Sequence, residues 1–398
     1  MNRLNLTLLS EMDRHSMDHD LAVKSAGPSR AQTWEEGLSS RAPKEPVKSA
    51  FNSQPIARRL NSTLLFYWLG EGRSYLWVIT SAKTSMITLP ASAAIDSAVK
   101  SYRQPVLEPR DPVEAGNADG KKLYSLLIAP VEKLIPRNSR VVVLPDGSLN
   151  SLNFETLIVS GSKPEDKAHY WIEDVTITTA NSLALLSRSS VAAPPKDARL
   201  LVVGDALAAS PDFPPLPQAG KEVGLLENYF VSPLRLELTG ANATATRFLS
   251  SEPEKIHLSA FRDARHSQSP SSVGVGGNPL ARRRILETLC ARRAKASFNR
   301  LSGNHFRVQR GRDEIVRRRR PGRPFLGVSP RRRAQRDRRI VGSQQRSTPQ
   351  LMDELYKGIH AGQDPATALR NAKLTQLRSG GNYRRPFYWA PFLLYSSS

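Results

Sequence analysis

The stretch RVVVLPDG, residues 140–147, decides the fold class of this chain of 398 residues. Its apolar residues are consecutive rather than alternating, and a Pro-Asp-Gly turn ends the run, which is typical of a strand buried on both faces. Three more runs of this kind follow at residues 175–180, 199–205 and 234–240, with candidate helices between them. This alternation predicts an α/β fold of three layers with a mainly parallel central sheet.

Aromatic and β-branched runs precede that stretch. TLLFYWLG (63–70) and SYLWVITS (74–81) meet at a Gly-rich, charged turn, which predicts a hairpin, and TSMITLP (84–90) predicts a third strand. Apolar periodicity predicts helices over residues 91–102 and 121–134, and Pro130 is expected to kink the second of them.

The end of the chain returns to regular patterning. TPQLMDELYKGIHAG places Leu351, Met352, Leu355 and Ile359 on one helical face. A second helix is predicted from DPATALRNAKLTQLRSGG, with Asp364 as N-cap and Pro365 in the first turn. The terminal FYWAPFLLYS predicts an apolar strand.

The net charge of +22 is concentrated in one stretch. Residues 258–347 carry 23 Arg and one Lys, Lys295, against five acidic residues, whereas the rest of the chain has a net charge of only +3. Two Arg runs, at residues 317–323 and 331–339, could bind nucleic acid through its phosphates without sequence preference.

Pattern and charge divide the chain into four segments. Residues 1–58 are rich in Ser, Pro, Lys and Glu and are predicted to be disordered or a frayed helix. Residues 59–257 form the first part of the α/β domain, and the next strand of its series is predicted at KIHL, residues 255–258. Residues 258–347 lack periodicity and are predicted to be irregular, and residues 348–398 complete the domain.

Several motifs resemble those of the CHAT domain family. LLFYWLGEGRSYLWVIT (64–80) is similar to the opening of that family, and VVVLPDGSLNSLNFETLI (141–158) resembles its PDG segment, with Asn153 where Pro is usual. RLLVVGDAL (199–207) and LPQAGKEVGLL (216–226) match a further pair in order. The resemblance implies a caspase-like fold of the clan CD cysteine peptidases, found mainly in bacteria and often beside tetratricopeptide repeats.

The resemblance also implies a catalytic His and Cys at strand ends, in motifs similar to HFATHG and ISAC. Such a Cys thiolate attacks a peptide carbonyl while the His handles the proton. Both motifs would lie between Ile256 and Thr348, and neither is present there. We therefore assign no catalytic residue and interpret the chain as a cysteine-type endopeptidase by resemblance that is inactive as written.

A shifted reading frame over residues 258–347 is our hypothesis for this loss. Codons permitted for residues 325–347, read one base later, give a sequence that begins FLAFLRAGAHNVIGALWEV and leads into TPQLMDEL. The same shift allows T-H-G across residues 263–266 and I-I-S-A-C across residues 303–309. It also explains the excess of Arg over Lys, because G+C-rich DNA read out of frame is full of CGN codons.

The remaining reactive residue types have simpler interpretations. Cys290 lies in ILETLCARR, a stretch with a helical residue pattern and no partner motif for catalysis, so we interpret it as an incidental thiol. His266 and His305 lack flanking strands, and His257 is interpreted as a packed or surface residue. His360 sits near a helix end, where the helix dipole favours a cation. A single Cys and no His cluster predict no metal site.

No cofactor is predicted. GVGGN at residues 274–278 neither follows a clear strand nor ends in the GK[ST] of a phosphate loop. Asp146 and Gly147 are interpreted as a tight turn after a strand.

The chain has no run of eighteen apolar residues, so no membrane span and a cytoplasmic location are expected. The resemblance implies a protein substrate or a regulatory protein of the tetratricopeptide-repeat type as partner. The alternative is a noncatalytic scaffold or a nonspecific nucleic-acid binder that uses the Arg-rich stretch.

Overall fold

The structure is a computed structural model. It describes residues 53–108, 110–161, 167–180, 182–186, 200–206, 224–230, 235–242, 245–251, 258–262 and 349–394. No helix within these ranges is long and apolar enough to cross a membrane.

Ten strands lie in the described part of the chain. They are β1 (Ser62–Trp68), β2 (Ser74–Ile79), β3 (Thr84–Leu89), β4 (Arg140–Leu144), β5 (Ile158–Val159), β6 (His169–Tyr170), β7 (Thr176–Thr179), β8 (Leu200–Ala206), β9 (Arg235–Gly240) and β10 (Leu258–Arg262).

The pairing of these strands confirms the predicted sheet. One sheet has the order β3-β2-β1-β4-β7, in which β1, β4 and β7 run parallel and the predicted hairpin β1-β2 and strand β3 run antiparallel. A second sheet, β10-β8-β9, is wholly parallel. The short strands β5 and β6 form an antiparallel pair of their own.

Helices connect and cover the strands. They are α1 (Ser53–Arg59), α2 (Ser92–Leu107), α3 (Ala118–Leu127), α4 (Leu183–Leu186), α5 (Ala245–Ser250), α6 (residues 349–360), α7 (Pro365–Arg378) and α8 (Pro386–Trp389). The interruption expected at Pro130 is present, since α3 ends at Leu127 and a 3-10 helix, Ala129–Leu134, follows. Proline has no N–H to donate, so the α-helical bond pattern cannot continue through it.

Both faces of the five-stranded sheet are covered, which gives the predicted three layers. Alternate residues of a strand point to opposite faces. Leu65 and Tyr67 of β1 therefore pack with α2, α3, α6 and α7 in the larger core cluster. Leu64 and Phe66 pack on the other face with α1 and α4.

The predicted boundary at residue 59 falls within a helix. Helix α1 begins at Ser53, and its Ile56 and Ala57 are buried in the smaller core cluster. Helix α1 is short and shows no hydrophobic periodicity in the sequence, so its burial depends on the sheet beneath it. The prediction for residues 1–52 falls outside the described residues.

The predicted start of the irregular stretch, residue 258, is the first residue of a strand. The predicted strand KIHL at residues 255–258 lies mostly outside the described residues, and the observed strand β10 covers Leu258–Arg262, paired in parallel with β8. Leu258, Ser259, Ala260 and Phe261 contain no charge, and the Arg content begins only at Arg262, so strand formation continues to that point. Residues 263–348 lie outside the described residues.

The predicted terminal strand FYWAPFLLYS is wrong over residues 387–394, where the structure has a short helix, a turn and an extended end without strand pairing. Pro386–Trp389 form helix α8, closed by the bond from the Ala390 N–H to the Pro386 carbonyl at 2.8 Å. Proline at the first helical position supplies a helical φ and lacks only an N–H that would have no partner there. The chain then reaches β7, where the Thr179 N–H donates to the Leu394 carbonyl at 2.9 Å.

Candidate functional site

The carboxyl edge of the parallel strands is where α/β folds bind their ligands. In the five-stranded sheet this edge is formed by the ends of β1, β4 and β7 at Trp68, Leu144 and Thr179. In the smaller sheet it is formed by the ends of β8, β9 and β10.

Asp146 joins two loops at this edge. Its Oδ2 accepts a hydrogen bond from the Leu69 N–H at 2.8 Å, so the loop after β4 is tied to the end of β1. Gly147 follows with a φ of +49° and opens the 3-10 helix Gly147–Ser151. The predicted turn is confirmed, and Asp146 additionally braces two neighbouring strands.

The reactive residues considered from the sequence fall mainly outside this geometry. His257, His266, Cys290 and His305 lie outside the described residues, as do GVGGN at 274–278 and both Arg runs. Within the described ranges, no group of three or more His, Cys, Asp or Glu side chains is arranged to hold a metal.

His360 is the last residue of α6, as predicted. Its ring lies 6.0 Å from the ring of Tyr229, and Gly362 beyond it has a φ of +84°. The Tyr229 hydroxyl donates to Asp353 Oδ1 at 2.8 Å. Burial and this carboxylate raise the pKa of Tyr229 to about 12, so the phenol stays protonated at neutral pH.

A His–carboxylate pair that the sequence did not indicate lies at the opposite edge. His169 Nε2 is 2.8 Å from Asp174 Oδ2, and Arg137 Nε donates to Asp174 Oδ1 at 3.0 Å. These residues flank the beginnings of β4 and β7. Asp174 therefore holds the entry loops of two strands together, on the side of the sheet away from the carboxyl edge.

Charged pairs connect the last helices to the first part of the chain. Lys373 of α7 is fully buried, and its ammonium donates to the Glu155 carboxylate, whose side chain is 6 % exposed. Arg140 at the start of β4 donates to both carboxylate oxygens of Asp364, the N-cap of α7. The sequence analysis missed both pairs, although the position of Lys373, four residues after Leu369 on the apolar side of α7, is a signal that could have indicated its burial.

Burial lowers the pKa of Lys373 because it disfavours the charged form, and the neighbouring Glu155 opposes that effect. Burial acts on Asp364 in the opposite sense and would raise its pKa. The hydrogen bonds from Arg140 and Thr367 outweigh burial there, so the pKa of Asp364 is lowered overall. These pairs connect α7 and its N-cap to the 3-10 helix Phe154–Thr156 and to the start of β4.

Comparison with known proteins gives one family. A model of the CHAT domain matches residues 117–271 and 342–397, which together make up more than half of the chain. The match omits residues 272–341, within the Arg-rich stretch. No curated protein matches the chain at a significant level.

Proposed function

The chain belongs to the CHAT domain family, which is related to caspase-like peptidases, and we propose that it is a noncatalytic member of that family. The observation that carries the proposal is the interruption of the family match at residues 272–341. This interval lies in the stretch with 23 Arg and one Lys, where neither a His nor a Cys motif of the family is present.

The proposed cause is a shift of reading frame within residues 258–347. The sequence that the shifted frame allows contains apolar runs and both catalytic motifs, in the order expected between β8 and α6. Sequencing of the gene and transcript across codons 250–350 tests this cause, because an intact frame without a missing or added base contradicts it.

We propose that the remaining fold serves as a scaffold for binding proteins. The five-stranded sheet and its helices keep a buried core on both faces. A scaffold of this kind could hold a former substrate or a regulatory protein of the tetratricopeptide-repeat type, in the cytoplasm, without cleaving it. This role rests on the family relation.

A peptidase assay on two forms of the chain tests the loss of activity. The chain as written should release no product from a panel of fluorogenic peptides, and a version with the frame restored between codons 258 and 347 should cleave at least one of them. Cleavage by the chain as written, abolished by Cys290→Ala, contradicts the proposal. An inactive restored version, shown to be folded by circular dichroism, contradicts the assignment to a peptidase ancestor.

A second candidate function is favoured by the charge distribution. Net charge of +19 over residues 258–347 is sufficient for sequence-independent binding to nucleic acid, since each neutralised phosphate releases a counterion. We propose this binding as a chemical property of the stretch, independent of the scaffold.

A further inference from the structure

Strand β3 is the outer strand on one side of the five-stranded sheet, which has the order β3-β2-β1-β4-β7. The outer strand on the other side, β7, contacts the end of the chain, since the Thr179 N–H donates to the Leu394 carbonyl at 2.9 Å. Within the described ranges, no strand pairs with β3 on its side away from β2. An outer strand of this kind presents a row of backbone donors and acceptors that can pair with a further strand.

The hairpin between β2 and β3 shows which residues of β3 direct their backbone groups to that side. The Thr80 N–H donates to the Lys83 carbonyl at 2.9 Å, so these two residues form a hydrogen-bonded pair. Hydrogen-bonded and non-hydrogen-bonded pairs alternate along an antiparallel ladder. Met86, which is paired with Trp77, therefore belongs to a non-hydrogen-bonded pair, as does Thr88. The N–H and C=O groups of Met86 and Thr88 point away from β2.

The sequence of β3, TSMITL, contains no charged residue, no Pro and no Gly. Natural outer strands often carry charge or Pro, because these residues discourage pairing with another chain. Here Lys83 and Pro90 flank the strand without interrupting it. Met86 and Ile87 lie on opposite faces of the sheet and are only partly buried, each packed against a core cluster. A further strand would therefore gain hydrogen bonds and cover apolar surface on both faces.

The sequence of β3 is also nearly symmetrical about Met86. Thr84 and Thr88 stand at equal distances on either side of it, and their side chains share the face of the sheet on which Met86 lies. An interface between two identical copies related by a two-fold axis requires a surface that is complementary to itself. A strand paired antiparallel with its own copy about Met86 places Thr opposite Thr and Met opposite Met, and Thr–Thr pairs across strands are favourable.

We propose that β3 is a dimer interface, at which it pairs antiparallel with β3 of a second copy of this chain. The two-fold axis passes beside Met86, whose N–H and C=O groups exchange hydrogen bonds between the two copies. Lys83 of each copy then lies opposite residue 89 of the other, so no like charges come together. The two sheets of five strands become one continuous sheet. This interface lies outside residues 258–347 and is independent of the function proposed above.

Charge substitutions at Met86 in the full chain test the position of the two-fold axis. Met86→Lys places two ammonium groups opposite each other and Met86→Glu places two carboxylates there, so each variant should dimerise about tenfold more weakly than the parent. An equimolar mixture of the two variants should recover the dimer, because Lys then faces Glu. Sedimentation velocity over a range of protein concentrations measures the association, after nuclease treatment and a high-salt wash have removed nucleic acid.

Matched controls separate the interface from a general effect of charge. Ser101→Lys and Ser101→Glu add the same charges at an exposed position of α2 and should dimerise as the parent does. Circular dichroism shows whether each variant has folded. A parent that stays monomeric at every concentration overturns the proposal, and so does a mixture that associates no more strongly than either Met86 variant alone.

Hydrogen exchange over residues 84–89 distinguishes a second copy from any other occupant of this edge. Peptides that contain β3, read by mass spectrometry, should become more protected as the concentration of the parent chain rises. Protection that does not change with protein concentration would place another segment of the chain on the edge and overturn the proposal. This measurement uses the parent alone, so it remains decisive if a Met86 variant does not fold.

Discussion

Lys373 occupies a position on α7 where an alkyl side chain would ordinarily lie. Its side chain is fully buried, and the charged partner, Glu155, is 218 residues away in the sequence. A buried pair contributes little to stability compared with apolar side chains of similar size, but either charge alone in the core is costly. We therefore expect the pair mainly to select one register of α7 against the 3-10 helix Phe154–Thr156.

Lys373→Met should destabilise the fold by about 3–5 kcal/mol, because the Glu155 carboxylate would remain buried without a partner. The double variant Glu155→Gln, Lys373→Met should recover most of that loss. Urea unfolding followed by circular dichroism measures both. The control Lys357→Met removes an exposed ion pair with Glu354 and should change stability by no more than about 1 kcal/mol. Equal losses for Lys373→Met and its control would contradict the role of the buried pair.

Asp364 should make the free energy of unfolding depend on pH in the acid range. Its pKa is lowered in the fold, so its contribution is fully present above the unfolded pKa of about 3.9 and is lost as the pH falls through the lower folded value. Asp364→Asn keeps an N-cap acceptor but removes the charge that pairs with Arg140. Unfolding measured between pH 7 and pH 2 should therefore show a shallower acid dependence in this variant.

Adding Arg140→Gln to the Asp364 variant should leave that profile unchanged, since the pair has already been removed. If Asp364→Asn shows the same dependence of stability on pH as the parent, the role assigned to the Asp364 carboxylate is contradicted.

Helix α3 crosses α2 and β5 at a point where a side chain has no room. A Cβ on Gly120 would lie 2.6 Å from Cε2 of Tyr102 and 2.8 Å from Cδ1 of Ile158, both of which are buried. The Tyr102 ring is held in place because its hydroxyl donates to the Thr156 carbonyl. The close approach of these elements therefore requires glycine.

Gly120→Ala should destabilise the protein despite the better helix propensity of alanine. The propensity gain is at most about 1 kcal/mol, whereas overpacking a buried contact costs about 1–3 kcal/mol. Thermal unfolding of this variant should show a lower midpoint. The control Gly72→Ala introduces a Cβ with no atom within 4 Å and should be within about 0.5 kcal/mol of the parent. A stabilised Gly120 variant would show that α2 or β5 moves away from α3.

Elements with a local signal were predictable, and those set by distant contacts were not. The buried runs that became β4, β7, β8 and β9 carry their own apolar pattern, and Asp364 and Pro365 mark the start of α7. Helix α8 contains the same aromatic residues that favour a strand, and its conformation depends on Pro386 and on packing of Trp389 in the core.

The same distinction applies to single contacts at the carboxyl edge and at the C-terminal segment. The turn at Asp146 was predictable from its Pro-Asp-Gly sequence, but its bond to Leu69 was not, because the partner is 77 residues away. Asn153 was recognised as a departure from the family pattern. Its bond to Ala390 could be found only from the fold, since it joins residues 237 apart.

Charge separates the chain into two unlike parts. Outside residues 258–347 basic and acidic residues almost balance, whereas the Arg-rich stretch carries nearly all of the net charge. Among the described residues, charged side chains form local ion pairs, such as Lys373–Glu155 and Arg140–Asp364. The folded core and the Arg-rich stretch should therefore respond differently to salt.

Binding to DNA should be strong at low salt and almost absent at high salt. A protein that neutralises 6–10 phosphates loses about 10³–10⁵ in affinity between 50 and 200 mM salt, and the Arg-rich stretch has enough cations for that number of contacts. Filter binding across a salt series should give a steep linear slope that is the same for unrelated duplexes. Replacing residues 263–347 with a neutral Gly/Ser linker should abolish the binding, because the remaining chain lacks a comparable excess of charge. Salt-tolerant binding to one sequence, or binding that survives the replacement, would place the nucleic-acid contact in the folded core and would count against an out-of-frame origin of the stretch.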